Sequence, residues 1–311
     1  MSVLGRSALA LCAWIVVGCS SAPERPNIVL IVIDTLRADR LSSYGYSKPT
    51  TPRIDEFAAR GVRFANAYST SSWTLPAHAS MFTGLYPIEH GATQENTRLD
   101  GRATTLAEAF TADGYATLGV SANGVINVNS GLTRGFSRFV EAWRKLNGKG
   151  LPPSIGWFSP KDHPNVVAVR EFLRDLGPGK PFFVFVNFVE VHGPYTPPPQ
   201  FRDRFLSPAT PRRLVVSAAK RGAAGYYLNK ESISQAEFQV LSDLYDGEVG
   251  YVDTLVGALV DEIEAAGVLD DSLIVITSDH GENLGGHGHF RHVFSLYNDT
   301  VRIPMIALLP D

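Results

Sequence analysis

The chain has 311 residues, 44% of them hydrophobic and 19% charged, with a formal net charge of -3 at pH 7. This composition is that of a globular protein and excludes a disordered one, and the lack of a basic excess argues against nucleic acid as a partner. The length suits one large α/β domain or two ordinary ones, and no internal repeat is present.

The first 19 residues read as a targeting segment. Arg6 opens it, and Ser7 to Val17 is an apolar run of signal-core length, too short to span a bilayer, which takes ~20 apolar residues. It closes on Val16-Val17-Gly18-Cys19, which resembles a bacterial lipobox, with Cys19 as the acylated residue. The other reading is an ordinary cleaved signal with an incidental Cys. Residues 20–26 then form a short tether and 27–311 the catalytic domain. The expected location is the cell envelope, lipid-anchored at the outer membrane and facing the periplasm. With Cys12 lost and Cys19 acylated, no thiol remains for a disulfide, a nucleophile or a zinc site.

In chain order, NIVLIVI at Asn27–Ile33 is a continuous β-branched run, the mark of a strand buried on both faces. Thr51-Pro52 followed by IDEFAAR and Gly61 reads as a capped helix with a glycine stop. Thr74 to Gly84 repeats that pattern. A helix from Thr105 to Asp113 leads through Gly114 to a strand, Tyr115 to Ser121. Val166 to Leu176 is helical, Pro181 to Val189 a buried strand, and Ala236 to Ala266 a long helix. SLIVIT, Ser272 to Thr277, is a strand ending at Ser278-Asp279-His280, and IPMIALL near the end is another. The alternation predicts a doubly wound α/β fold, with a mostly parallel central sheet and helices on both faces.

Three strands run directly into polar residues: Asp34, the Glu190/His192 stretch, and Asp279-His280. Ligands of open α/β sheets bind beyond the carboxyl ends of the strands. Any one of these residues could be a solvated turn; all three together point to a site.

PNIVLIVIDTLRAD, TLPAHASMFTGLYP, VHGPY, YDGEVGYVD, TSDHGENLGGHG and SLYNDTVRIPMI follow one another in the order and spacing of the sulfatase family, within the alkaline phosphatase superfamily, and the resemblance runs from about Pro26 to Pro310. It implies a metal site of Asp34, the nucleophile position 74, Asp279 and His280. It implies hydrolysis of an anionic sulfate or phosphate ester. Such chemistry needs a cation to offset charge on nonbridging oxygens and to activate a weak hydroxyl nucleophile. Thr74 at a helix start also gains backbone N–H groups that favour an anion, although a plain N-cap is the common role of such a Thr.

Departures from the family pattern bear on substrate. Typical sulfatases read Cys-x-Pro-x-Arg and convert the Cys to formylglycine; Thr74-Leu75-Pro76-Ala77-His78 cannot. A sulfated Thr lacks the collapse to an aldehyde that expels sulfate, whereas phosphorylated hydroxyl intermediates turn over readily. Thr35 stands where many sulfatases have a second Asp, and His280 where many have Asn. One divalent metal ion is expected, manganese, zinc or iron before calcium, with no second metal. The pattern is nearer to phosphodiester and phosphonate hydrolases than to arylsulfatases, with sulfate still open. A phosphoglycerol- or phosphoethanolamine-type transferase, or a silent binding lipoprotein, are the alternatives.

His78, at i+4 from Thr74, replaces the family Arg and is a candidate to contact the anion or donate a proton. His192, in VHGPY, matches a family histidine facing the leaving group and is the implied general acid. His287 and His292 are the implied substrate-binding pair, His292 falling near a family Lys, and Asn96 is a further substrate contact. His289 and Arg291 read as loop residues, Arg291 with the option of contacting an anion. Asp246 and Glu248 read as structural ties of the long helix. Family members usually continue beyond the equivalent of Asp311 into a smaller C-terminal subdomain, so the expectation is either an abbreviated member or a fragment of a longer chain. On the lipobox reading, Cys19→Ala moves the protein from the detergent phase to the soluble periplasmic fraction. A wild type that already partitions as soluble refutes that reading.

Overall fold

The computed structural model describes residues 25–144, 157–228 and 232–310. The signal segment 1–19 with Cys19, and the first residues of the tether, lie outside the described residues. Helices and strands run in the order β1 (Asn27–Ile33), α1 (Pro52–Arg60), β2 (Val62–Arg63), β3 (Ala67–Tyr68), α2 (Thr74–Thr83), α3 (Pro87–His90), α4 (Leu106–Ala112), β4 (Ala116–Ser121) and β5 (Arg138–Glu141). There follow α5 (Pro164–Asp175), β6 (Phe182–Phe188), α6 (Pro199–Phe205), α7 (Arg212–Ala219), α8 (Ala223–Tyr227) and α9 (Gln235–Ala265). The remainder is β7 (Ser272–Thr277), β8 (Asn283–Leu284), β9 (Phe290–Arg291), α10 (Asn298–Val301), β10 (Arg302–Ile303) and β11 (Met305–Leu308).

Seven strands form the central sheet in the order β2-β11-β7-β1-β6-β4-β5. From β7 to β5 all pairings are parallel, and β11 is antiparallel to both β7 and β2. β1 lies in the middle, which is why its run is apolar at every position after Asn27: alternate side chains enter different cores. Val29, Ile31 and Ile33 pack with residues of α1, α5 and α9, while Leu30 and Val32 pack with Leu75, Ala79 and Phe82 of α2 and Ala107 of α4. Helices therefore cover both faces, as the doubly wound expectation requires. β11 falls within the expected strand IPMIALL, whereas β2, the edge strand β5, and helices α6 and α7 lacked a clear sequence signal, being short or half-exposed.

Helix α9 is the organising element of one face. Ser234 and Glu237 close a capping box at its start, and most of its 31 residues are buried. Asp253, on α9, accepts the N–H groups of Arg53 (3.1 Å) and Ile54 (2.8 Å). That carboxylate caps α1, where the sequence suggested Thr51, whose hydroxyl makes no capping bond. Asp246, fully buried, accepts from Arg40 (3.0 Å), Lys48 (2.8 Å) and Tyr46 (2.6 Å), and Glu248 accepts the N–H of Thr196 (2.6 Å). Removing one member of a buried ion network leaves charge without compensation. Asp246→Ala is expected to lower unfolding free energy by about 3 kcal/mol in denaturant titration. A change under ~0.5 kcal/mol, the level of an ordinary surface substitution, would show the network to be energetically idle.

Candidate active site

The parallel strands deliver their C-terminal ends to one rim. Asp34 continues β1 by one residue, its N–H still paired with the Phe188 carbonyl at 2.8 Å. Thr35 then turns the chain with φ at 59°, a left-handed conformation unusual for a β-branched residue. Strain of this kind is retained where the surroundings over-determine it. Here the Thr35 N–H reaches Asp279 Oδ1 (3.2 Å), and the Tyr245 hydroxyl donates to the Thr35 carbonyl (2.8 Å). Ser278 Oγ accepts from the Leu36 N–H and donates to the Ile33 carbonyl at 2.7 Å. The exits of β1 and β7 are thereby bolted together.

Asp34, Asp279 and His280 are fully buried and bring one ligand atom each to within 4.8 Å of one another. Asp34 Oδ1 and Asp279 Oδ2 have no hydrogen-bond partner, which is costly for a buried carboxylate. The Gly281 carbonyl, which can only accept, takes the proton on His280 Nδ1 (2.9 Å). The lone pair is therefore on Nε2, 3.5 Å from the Thr74 hydroxyl. Burial, and then the charge of Asp279, raises the pKa of Asp34; burial raises that of Asp279. Burial, with His292 adding to it, pushes His280 down to about 4. Two orphaned oxygens and a free imidazole lone pair form a donor set that fits a divalent cation.

Thr74 is the first residue of α2, and Trp73, not Thr74, occupies the capping position. The Thr74 side chain is thus free to face the triad. His78, one turn on, is fully buried and donates Nδ1–H to the Thr74 carbonyl (2.9 Å), with that nitrogen 3.5 Å from Asp279 Oδ2. Its Nε2 has no partner, and the ring packs edge-on against Phe82 and Phe185. The spacing that put His78 on Thr74's face was sound, but its donor is engaged inside the helix and beside Asp279. An anion contact of the expected kind would fall to Nε2 and not to Nδ1.

His192, half-buried, donates Nδ1–H to the Gly193 carbonyl (2.8 Å), and its ring centroid lies 5.1 Å from that of His292. Burial lowers the His192 pKa. His292 stands 4.6 Å from His280, centroid to centroid, with Nδ1 3.0 Å from Glu282 Oε1. Burial alone would lower the His292 pKa; the Glu282 carboxylate outweighs it and raises it. Glu282 itself resists burial through His292 and falls to about 2.

Two expected contacts are not brought to this cluster. His287 is exposed and stacks on Tyr297 at 3.9 Å, and exposed Asn96 donates to the Gly91 carbonyl. Among the described residues neither bonds to a member of the cluster. Arg291 is no loose loop residue: its side chain is 11% exposed and lies over the Tyr195 ring. Two residues were missed. Asn123, just beyond β4, donates to Asp34 Oδ2; its signal was a polar residue at the end of a fourth parallel strand. Glu282 lay inside the TSDHGENLGGHG string and was passed over between histidines.

The sulfatase family model matches residues 26–311. The chain belongs to the sulfatase family. The chain is similar to the arylsulfatase of Clostridium perfringens, 25% identical, over 92% of this chain and 69% of that one. It is also similar to the multifunctional alkaline phosphatase superfamily protein PehA of Trinickia caryophylli, 25% identical, over 91% and 68%. Among solved structures, the phosphonate monoester hydrolase of Agrobacterium radiobacter superposes with a TM-score of 0.70 at 23% identity, covering 92% of this chain and 68% of that one. The sulfatase is accordingly a hydrolase of sulfuric or phosphoric esters, in a metal-dependent family, with a triad able to hold the ion.

The metal-free fold carries two carboxyls whose pKa values burial has raised, so it loses stability as pH rises above their ordinary value near ~4 and they ionise. A bound cation offsets that penalty, and protons compete with it at low pH. Millimolar manganese or zinc is expected to raise Tm, more at pH 8 than at pH 5, and Asp279→Asn is expected to abolish the rise. An equal rise in that variant would place the ion elsewhere.

Proposed function

We propose that this sulfatase-family enzyme hydrolyses phosphate diesters or phosphonate esters in preference to sulfate esters, with Thr74 as covalent nucleophile. The observation that carries this reading is a hydroxyl, 3% exposed, at the start of α2 and facing His280 Nε2 beside two unpartnered carboxylate oxygens. Thr74, a secondary alcohol, cannot be oxidised to the formylglycine aldehyde, and a Thr sulfate has no aldehyde collapse to release it. A Thr phosphoryl ester is open to attack by water at phosphorus. The likeness to a phosphonate monoester hydrolase and to a multifunctional relative supports the same choice.

Asp34, Asp279 and His280 would hold the cation. When bound, it supplies Lewis acidity that offsets charge on the nonbridging oxygens and lowers the hydroxyl pKa. The N-terminus of α2 presents backbone N–H groups to the anion. Asn123 holds Asp34 and His78 stands against Asp279, so both carboxylates are oriented from behind. The Thr74 hydroxyl loses its proton to solvent as Oγ bonds to phosphorus. The ester P–O bond breaks, and the departing oxygen takes a proton from the His192–His292 pair, whose rings adjoin the triad. Water then attacks phosphorus and returns a proton to that pair, and the Thr74–phosphoryl bond breaks as Oγ takes back a proton from solvent.

The test is a rate panel of nitrophenyl phosphodiester, phosphonate and sulfate on Thr74 variants. Thr74→Ala is expected to lose ~10³ or more in kcat, about 4 kcal/mol of barrier. Thr74→Ser is expected to keep much of it. Acid-quench mass spectrometry should trap a phosphoryl adduct on the peptide containing Thr74. A near-wild-type Thr74→Ala removes the nucleophile; sulfate as the fastest substrate removes the phosphoester preference.

A further inference from the structure

Strands β8 and β9 form a small antiparallel ribbon in which Asn283 faces Arg291. The residues just outside that pair, Glu282 and His292, are brought opposite one another by the same register. Glu282 is fully buried, and its two oxygens are used differently. Oε1 holds His292 Nδ1 at 3.0 Å; Oε2 accepts from the Tyr195 hydroxyl at 2.9 Å and lies 3.7 Å from the Arg291 guanidinium. Its backbone carbonyl takes a further bond from Arg37 (2.9 Å).

Tyr195, 1% exposed, belongs to the segment that carries His192. Between them stands Gly193, where a Cβ would fall 1.1 Å from Arg291 Nη1. The guanidinium thus occupies the space that a side chain at 193 would need. One carboxylate is the point at which the turn after β6 and the turn after β7 are joined. His192, on the first of these turns, and His292, just after β9, are the pair with ring centroids 5.1 Å apart.

We propose that Glu282 is a positioning residue. It fixes the ring of His292 through Nδ1, leaving Nε2 for the substrate anion, and through Tyr195 and Arg291 it sets the distance between His292 and His192. This rests on the reading that the imidazole pair serves the ester. Bonds that orient a working imidazole are typically worth 10–100-fold in activity. An interaction that acts through one partner vanishes when that partner is removed.

The experiment is a pair of double-mutant cycles on the metal-loaded protein, with bis(4-nitrophenyl) phosphate as probe. Metal content by elemental analysis and Tm are recorded for each variant. Glu282→Gln is expected to lower kcat/KM about 10–100-fold and Tyr195→Phe by less, with metal content unchanged. In a His292→Ala background both further losses should shrink to under about twofold. Losses that multiply in the double variants overturn the proposal, as does a wild-type rate in Glu282→Gln. If that variant does not fold, the Tyr195→Phe cycle decides by the same criterion. A His292→Ala protein at full rate instead sinks the role given to the imidazole pair, and this inference with it. An impaired His292→Ala beside an unimpaired Glu282→Gln sinks the positioning role alone.

Discussion

Two buried carboxylates, each with one oxygen left unpartnered, set the terms for the rest of this structure. Asp34 and Asp279 sit at the ends of adjacent parallel strands, fully out of solvent, each with an oxygen bonded to nothing. Burying unpaired negative charge is among the most expensive things a fold can do. Such a site is held together by its neighbours until a cation arrives. The Ser278 and Tyr245 hydroxyls and the strained turn at Thr35 serve that end, clamping the exits of β1 and β7 before any ligand binds.

The same constraint explains the long helix. Tyr245 of α9 reaches the Thr35 carbonyl, Asp246 gathers Arg40, Lys48 and Tyr46, and Asp253 caps α1. Three nearby positions on one helix thereby fix the segment that follows Asp34. The nucleophile comes from the opposite face, where α2 packs its apolar residues on Leu30 and Val32. Thr74 meets the triad because β1 is covered on both sides, one helix layer bracing the metal site and the other presenting the hydroxyl.

The imidazoles divide by what holds their Nδ1. His280 and His192 each give that proton to a backbone carbonyl, and His78 gives it to the Thr74 carbonyl. Of these four, His292 is the one whose Nδ1 hydrogen-bonds a carboxylate, Glu282. At His280 and His192, where burial also lowers the pKa, the former arrangement favours the neutral ring, and at His292 the latter favours a cation. A site that must bind an anion and protonate a departing oxygen has use for both kinds.

Much of this was written in the sequence. The apolar runs of β1, β6 and β7 stop at polar residues, and hydrophobic periodicity with its interruptions is a local property, readable without coordinates. Asp34, Asp279 and His280 stood out for that reason, as did the doubly wound architecture, whereas Thr74 stood out only through the resemblance to the sulfatase family, since a helix-start Thr by itself reads as an N-cap. What the tertiary structure alone decided concerns pairs distant along the chain: Asn123 on Asp34, Tyr195 and His292 on Glu282, Arg291 beneath Gly193. It also decided that His78 faces inward and that His287 and Asn96 stand apart. Spacing along a helix or loop fixes which face a side chain starts from. Which partner its polar atom finds depends on strand order and loop closure, and these follow from packing across the whole sheet.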